Sequence, residues 1–275
     1  MTRSARRTGR TGRMLRTIGL GAAALLTLSA CSFAGESGEA SGTATVDGDG
    51  LSGTVNVFAA ASLTESFTAL GKTFEDRHPG TKVVFNFGGS DSLAAGITSG
   101  APADVFASAS PRTMKVVTDA GAAAGAPAAF VTNRLEIATL PGNPEGIGSL
   151  KDLTARDLKV VLCDRTVPCG AAAEKALDAA GLELKPVSYE EDVKSALNKV
   201  VLKEADAALV YRTDVRAAGD KVVGVEFPES GRAVNDYPIT LLKDAPNSDA
   251  AEAFIELVRS PEGLKVLTGA GFGTP

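Results

Sequence analysis

Tryptophan is missing from this chain, tyrosine occurs three times and histidine once. Sites for sugars and nucleobases lean on aromatic platforms, so those ligand classes are poorly served. One histidine, His78, followed by Pro79-Gly80 at a surface turn, is a poor general base. With only three cysteines beside it, it also makes a thin metal-ligand set. Basic residues are concentrated rather than abundant. Six arginines (Arg3, Arg6, Arg7, Arg10, Arg13, Arg16) and no acid fall within residues 1–30. The remainder holds 22 basic residues against 33 acidic, a net charge of −11. An acidic body without a basic block is a poor nucleic-acid binder.

What is present begins with an address. The arginine-rich start leads into an apolar run, Ile18 to Leu28, which is too short to span a bilayer as a permanent helix. Leu28-Ser29-Ala30 then precede Cys31. A basic segment, a short apolar segment and small residues before a cleavage point read as a signal peptide over 1–30. The small residues directly before a cysteine resemble a bacterial lipoprotein lipobox. That implies cleavage before Cys31, a lipid on its sulfur, and residence on the outer face of the cell membrane. An ordinary secretory signal followed by a chance cysteine is the alternative. Arg6-Arg7 raises twin-arginine export, which the flanking residues match weakly. Residues 31–52, rich in Gly, Ser and acids, bury almost nothing and read as a flexible tether.

Export places Cys163 and Cys169 in an oxidising compartment, where a disulfide is the default. The competing reading is a Cys169 nucleophile with His78 as base, a thiol-dependent extracellular hydrolase.

From residue 53 the pattern alternates strand and helix. Thr54–Phe58, Lys82–Phe87, Asp104–Ala107, Leu135–Leu140, Leu158–Leu162 and Ala207–Tyr211 read as strands. Leu63, Phe67, Leu70 and Phe74 recur at helical spacing, as do Val193, Ala196, Leu197, Val200 and Val201. Ala171–Ala180 reads as a helix closed by Gly181, and Phe254, Leu257, Val258 and Leu264 belong to terminal helices. This predicts an α/β fold with mainly parallel sheets flanked by helices. In such sheets ligands bind beyond the carboxyl ends of the strands, where loops meet helix N-termini.

Two of those turns are alike. Phe58-Ala59-Ala60-Ala61-Ser62-Leu63 and Phe87-Gly88-Gly89-Ser90-Asp91-Ser92-Leu93 each set a hydroxyl and free N–H groups at a helix start. The first N–H groups of a helix lack internal partners and the helix dipole is positive there, so an anion can be held without Lys or Arg. The plainer reading is capping: Ser62-x-x-Glu65 has capping-box form, and Ser90 or Ser92 can cap the next helix. Val167-Pro168-Cys169-Gly170 and Tyr189-Glu190-Glu191-Asp192-Val193 open two more helices. Tyr211 ends a buried strand, its phenol turned either into a cleft or to water.

Taken in order, VFAAASL (57–63), the F-x-x-S-x-x-L turn (87–93), GAPADVFASAS (100–110), VPCG (167–170), EDVKSAL (191–197) and ALVYRTD (208–214) resemble the periplasmic molybdate-binding proteins of ABC transporters, here of actinobacterial lipoprotein type. The resemblance covers residues 53–275. It implies a hinged two-lobed periplasmic-binding-protein fold, with 53–131 plus 237–275 as one lobe and 132–236 as the other. The chain would cross near Phe130–Asn133 and Asn235–Pro238. It implies five contacts to molybdate or tungstate: the hydroxyls of Ser62 and Ser90, the backbone N–H groups of Cys169 and Val193, and the phenol of Tyr211. The metal is thus held as its oxyanion with no direct coordination, without a cofactor and without enzymatic turnover. It further implies a monomer that partners an ABC permease. Ala is usual where Cys169 stands, a change a backbone donor tolerates. Asp91 beside Ser90 must turn its carboxylate away from an anion.

None of the five contacts is basic, so the site offers donors only. A fully deprotonated oxyanion wants only donors, whereas phosphate near neutral pH keeps a proton and wants an acceptor too. Sulfate remains an alternative ligand. An iron receptor would want paired tyrosines, and Tyr189, Tyr211 and Tyr237 are not adjacent in sequence. An amino-acid receptor would want an arginine, for which Arg134 and Arg212 are the candidates.

Overall fold

The computed structural model describes residues 50–275 except Arg156. The expected signal segment 1–30, the expected lipidation site Cys31 and the expected tether up to residue 49 lie outside the described residues. The last residues before the body are anchored: Leu51 packs against the core, and the Ser52 carbonyl accepts from Asn247 Nδ2 at 2.8 Å.

Two five-stranded sheets form the body. In the first, β1 (Gly53–Ala60) pairs in parallel with β2 (Thr81–Gly88) and β3 (Val105–Ala107). Beyond β3 run β10 (Asn235–Leu241) and β4 (Ala128–Asn133), both pairings antiparallel. The second sheet repeats the plan. Strand β6 (Val160–Cys163) pairs in parallel with β7 (Ser188–Glu190) and β8 (Ala207–Tyr211), and β5 (Leu135–Thr139) lies antiparallel between β8 and β9 (Val223–Val225). The expected parallel pairings therefore build one side of each sheet, and antiparallel strands make both sheets mixed. The chain leaves the first sheet after Asn133, enters the second at Leu135, and returns at Asn235.

Helices cover both sheets. Helix α1 (Thr64–Arg77) turns Phe67, Leu70 and Phe74 inward at the predicted helical spacing. Phe254 of α7 (Ser248–Arg259) meets Phe67 and Phe74 edge-on, at centroid distances of 5.9 and 5.7 Å. These aromatics centre the core of the first sheet, with α8 (Pro261–Ala270) against it. Burying each such side chain contributes roughly 1.5–3 kcal/mol. The second core is aliphatic: Ala196, Leu197 and Val200 of α5 (Val193–Val201) lie with Ile137, Leu209 and Val210. Helix α4 (Pro168–Ala180) starts three residues before the predicted Ala171 because Pro168 suits a first helical position, and it ends at Gly181 in the left-handed conformation. Three shorter helices complete the set, α2 (Ser90–Thr98), α3 (Pro111–Asp119) and α6 (Arg212–Ala218).

Candidate functional site

All six strands of the two parallel trios end at one place. A cavity of about 20 Å³ is lined by Ala60, Ala61 and Ser62 after β1, by Gly88, Gly89 and Ser90 after β2, and by Ala109 after β3. From the second sheet come Val167, Pro168 and Cys169 after β6, Asp192 and Val193 after β7, and Tyr211 at the end of β8. One water needs about 10–15 Å³ by this kind of measure, so the space suits a group of a few atoms. Larger hollows lie elsewhere, such as the 610 Å³ groove beside α4, but that groove draws on the second sheet alone.

Ser62, Ser90, Cys169, Val193 and Tyr211 are thus brought together, and all are buried, at 1–4 % exposure. Ser62 sits in a short 3-10 turn, Ala61–Leu63, between β1 and α1, and makes no capping bond. Its Oγ instead lies 2.8 Å from the Tyr237 hydroxyl. Ser90 is the first residue of α2 and likewise caps nothing; its Oγ accepts from the Ala109 N–H at 3.0 Å. The capping readings of both serines therefore fail here, which leaves both hydroxyls for the cavity.

The backbone donors are arranged by sequence. Pro168 has no N–H, so Cys169 supplies the first donor of α4, and no side chain caps that end. At α5 the Asp192 carboxylate accepts from the Lys194 and Ser195 N–H groups, leaving that of Val193 aside. Asp192 is the single charged residue in the lining, and its other oxygen accepts from the Ser195 hydroxyl. Its charge is turned back onto its own helix. Asp91 does not line the cavity, although its Oδ1 is buried without a hydrogen-bond partner among the described residues.

Comparison with known proteins identifies the family. The family described as bacterial extracellular solute-binding protein matches residues 55–273. The chain belongs to that family. The molybdate-binding protein ModA of Mycobacterium bovis is 45% identical over 219 residues, covering 80% of this chain and 84% of its own. ModA of Haemophilus influenzae is 32% identical over 79% of this chain and 89% of its own. Among solved structures, the periplasmic molybdate-binding protein of Azotobacter vinelandii superposes with a TM-score of 0.71 at 21% identity, covering 80% and 99% of the two chains, and so supports the fold.

In this solute-binding protein a further layer stands behind the hydroxyls. Asn235 Nδ2 donates to the Tyr211 hydroxyl at 2.7 Å and to the Ala109 carbonyl at 2.8 Å. Asn133 Nδ2 donates to Thr213 Oγ1 at 2.9 Å and, more weakly, to the Tyr237 hydroxyl at 3.4 Å. The Tyr211 and Tyr237 rings meet edge-on at 6.0 Å. Burial pushes the Tyr211 phenol well above its usual range, with Tyr237 and Asp214 adding to the rise. Burial raises Tyr237 as well. Both phenols stay protonated, as donors must. The sequence reading took Tyr211 and Tyr237 as not adjacent, since 26 positions separate them; strand β10 returning to the first sheet brings their rings together and corrects that expectation.

The remaining candidates are otherwise engaged. Cys163 and Cys169 form a disulfide, with Cα atoms 5.8 Å apart, so the Cys169 thiol is no nucleophile in this form. His78 meets the Phe74 ring at a tilt, centroids 4.5 Å apart, and lines a different hollow, beside Arg77 and Pro261. Arg134 pairs with Glu226 at 2.8 Å and Arg212 donates to the Gly271 carbonyl, so neither serves a bound carboxylate. Lys194 reaches Glu65 at 2.8 Å and Asp214 at 3.2 Å, tying α5 to α1 and α6.

Proposed function

We propose that this protein captures molybdate, and tungstate with it, and delivers the anion to an ABC importer. Support comes first from one observation: hydroxyl and N–H donors from both sheets converge on a cavity of about 20 Å³ in which no charged group is free. Neutral donors in a dry site bind a dianion without a buried countercharge, which would carry its own desolvation cost. The contacts are the Ser62, Ser90 and Tyr211 hydroxyls and the Cys169 and Val193 N–H groups. The 45% identical relative that bears the name molybdate-binding protein supports the choice among oxyanions.

Two lobes, 53–131 with 237–275 and 132–236, close on the anion about a hinge where the chain crosses between the sheets. The near-complete burial of all five contacts supports this, since no anion reaches them unless the halves part. The protein works as a monomer. It is exported by the signal over 1–30 and tethered by residues 31–52 to a lipid at Cys31, where an ABC permease reads closure as occupancy. A relative named as a substrate-binding lipoprotein of Bacillus subtilis, 27% identical, is in keeping with the anchor.

Thermal melting with molybdate, tungstate, sulfate and phosphate tests the reading. A ligand at ~1,000 times its Kd adds about 4 kcal/mol to stability. The first two anions are expected to raise Tm, sulfate weakly or not at all, and phosphate not at all. A protein indifferent to all four ends the proposal, and a response to sulfate alone makes it a sulfate receptor. Ser90→Asp sets a negative charge in the cavity and is expected to abolish the response while the ligand-free Tm stays close to that of the parent; a normal response removes Ser90 from the site.

A further inference from the structure

We propose that Tyr237, Asn235 and Asn133 are positioning residues that fill an acceptor site on the Ser62 and Tyr211 hydroxyls, bias both toward donating into the cavity, and so disfavour anions that carry a proton. The inference rests on the oxyanion reading and adds to it the residues that set the polarity of the site.

A hydroxyl can donate once and accept twice, so its oxygen could serve an anion's proton as readily as its hydrogen serves an anion's oxygen. The second layer narrows that freedom. The Ala109 carbonyl can only accept, so the atom of Asn235 facing it must be Nδ2, and the other hydrogen of that amide goes to Tyr211 Oη. An amide nitrogen accepts nothing; the phenol proton must go elsewhere. Asn133 is oriented in the same way: its Oδ1 accepts from the Arg134 N–H at 3.0 Å, which turns Nδ2 toward Thr213 and Tyr237. Either atom of the 2.8 Å Tyr237 Oη–Ser62 Oγ pair can donate; with its oxygen already supplied by Asn133, the Tyr237 hydroxyl is assigned the donor's part. The Ser62 proton is then left for the cavity. Tyr211 can offer its proton to the neighbouring Tyr237 or to the cavity, and a charged acceptor wins that competition. Ser90 is set by the Ala109 N–H, a backbone donor that mutation leaves in place. Each of the three hydroxyls thus has one acceptor site filled and its proton free for the cavity, two of them through side chains that touch no ligand. None of the three positioning residues lines the cavity.

The test measures Kd for molybdate and for phosphate from pH 6 to 8 on the full chain, its Tyr237→Phe variant and its Asn235→Leu variant, with ligand-free Tm for each. Tyr237→Phe keeps the ring that packs on Tyr211 and Phe272 and removes the hydroxyl that meets Ser62, together with its weak bond from Asn133. Asn235→Leu removes the donor to Tyr211. In each variant the freed oxygen can accept from a protonated anion. Molybdate affinity is expected to fall about tenfold, the worth of one hydrogen bond. Phosphate binding is expected to appear, strongest at the acid end where phosphate carries more protons. The ratio of the two affinities therefore narrows and becomes pH-dependent. A merely structural role would lower Tm and weaken both anions alike. An unchanged molybdate-to-phosphate ratio in both variants overturns this proposal while leaving the oxyanion reading standing. A parent protein that binds no oxyanion overturns both.

Discussion

Asp214 has no exposed surface, yet it carries an ionisable carboxyl beside the site. One oxygen accepts from the Tyr211 N–H at 3.2 Å, and the other lies 3.2 Å from Lys194 Nζ. Burial raises its pKa from 3.8 to about 6, and Lys194 offsets only part of that rise. Burial pulls Lys194 the other way, but Asp214 and Glu65 outweigh it, so the ammonium stays charged throughout this range. Because the folded form holds the Asp214 proton more tightly than the unfolded chain does, the stabilisation is complete below about pH 4. It is lost as pH rises through about 6. Urea unfolding of the parent and of Asp214→Asn between pH 4 and 7 checks this. The stability of the parent relative to the variant is expected to fall by up to about 3 kcal/mol across that window. A difference that stays flat with pH would show that Asp214 titrates normally.

At the scale of elements, the disulfide fastens the end of β6 to the second residue of α4 and so fixes where the Cys169 N–H points. It closes a loop of sequence separation 6, for which chain entropy gives roughly 2–2.5 kcal/mol. Replacing both cysteines by Ala is expected to lower stability by about that amount and to weaken anion binding, because the donor now sits on an unrestrained turn. Equilibrium unfolding and calorimetry on the double variant measure the two effects; full affinity would mean that α4 alone positions the donor. The elements differ in how far they could be read from the chain. Helices α1 and α5 were legible because their apolar residues fall on one helical face, and β8 because every residue in it is buried. Strand β10 was not. Pro238 lies inside it, and proline marks a break in a sheet interior. The sheet accommodates it with a register shift between Tyr237 and Pro238. Short, weakly patterned β4 escaped with it, and with both went the antiparallel half of the first sheet. The loss reaches the site, since Tyr237 and Asn235 ride on β10 and Asn133 ends β4. The turns that line the cavity were legible because their donors sit on local strand-to-helix sequences; the residues behind them were not, because only long-range pairing brings them there.

For the whole molecule the deciding contact is the one that limits how closely the two sheets approach. Gly89, between β2 and α2, has an ordinary extended conformation, φ −60° and ψ 130°, so nothing in its backbone requires glycine. Space does. A Cβ there would stand 2.6 Å from the Glu191 carbonyl oxygen, just ahead of α5, and 2.9 Å from Asp91 Oδ1. Backbone on the far side cannot yield as a side-chain tip would, so a methyl group must hold the halves apart. Nearby links across the same gap, Lys194 to Glu65 and Arg112 to the Thr166 carbonyl, would lengthen with it. In the proposed hinge motion, Gly89→Ala therefore acts on the closed form and leaves each sheet's own core untouched. Overpacking of this kind costs about 1–3 kcal/mol, which converts to roughly five- to 150-fold in affinity. The ligand-free Tm is expected to change little, while molybdate binding weakens by that factor, chiefly through faster release of the anion. Small-angle scattering with saturating molybdate is expected to show a larger radius of gyration than in the parent. Parental affinity in the alanine variant would mean that the halves need not meet at Gly89, and that the anion is held without the closure proposed here.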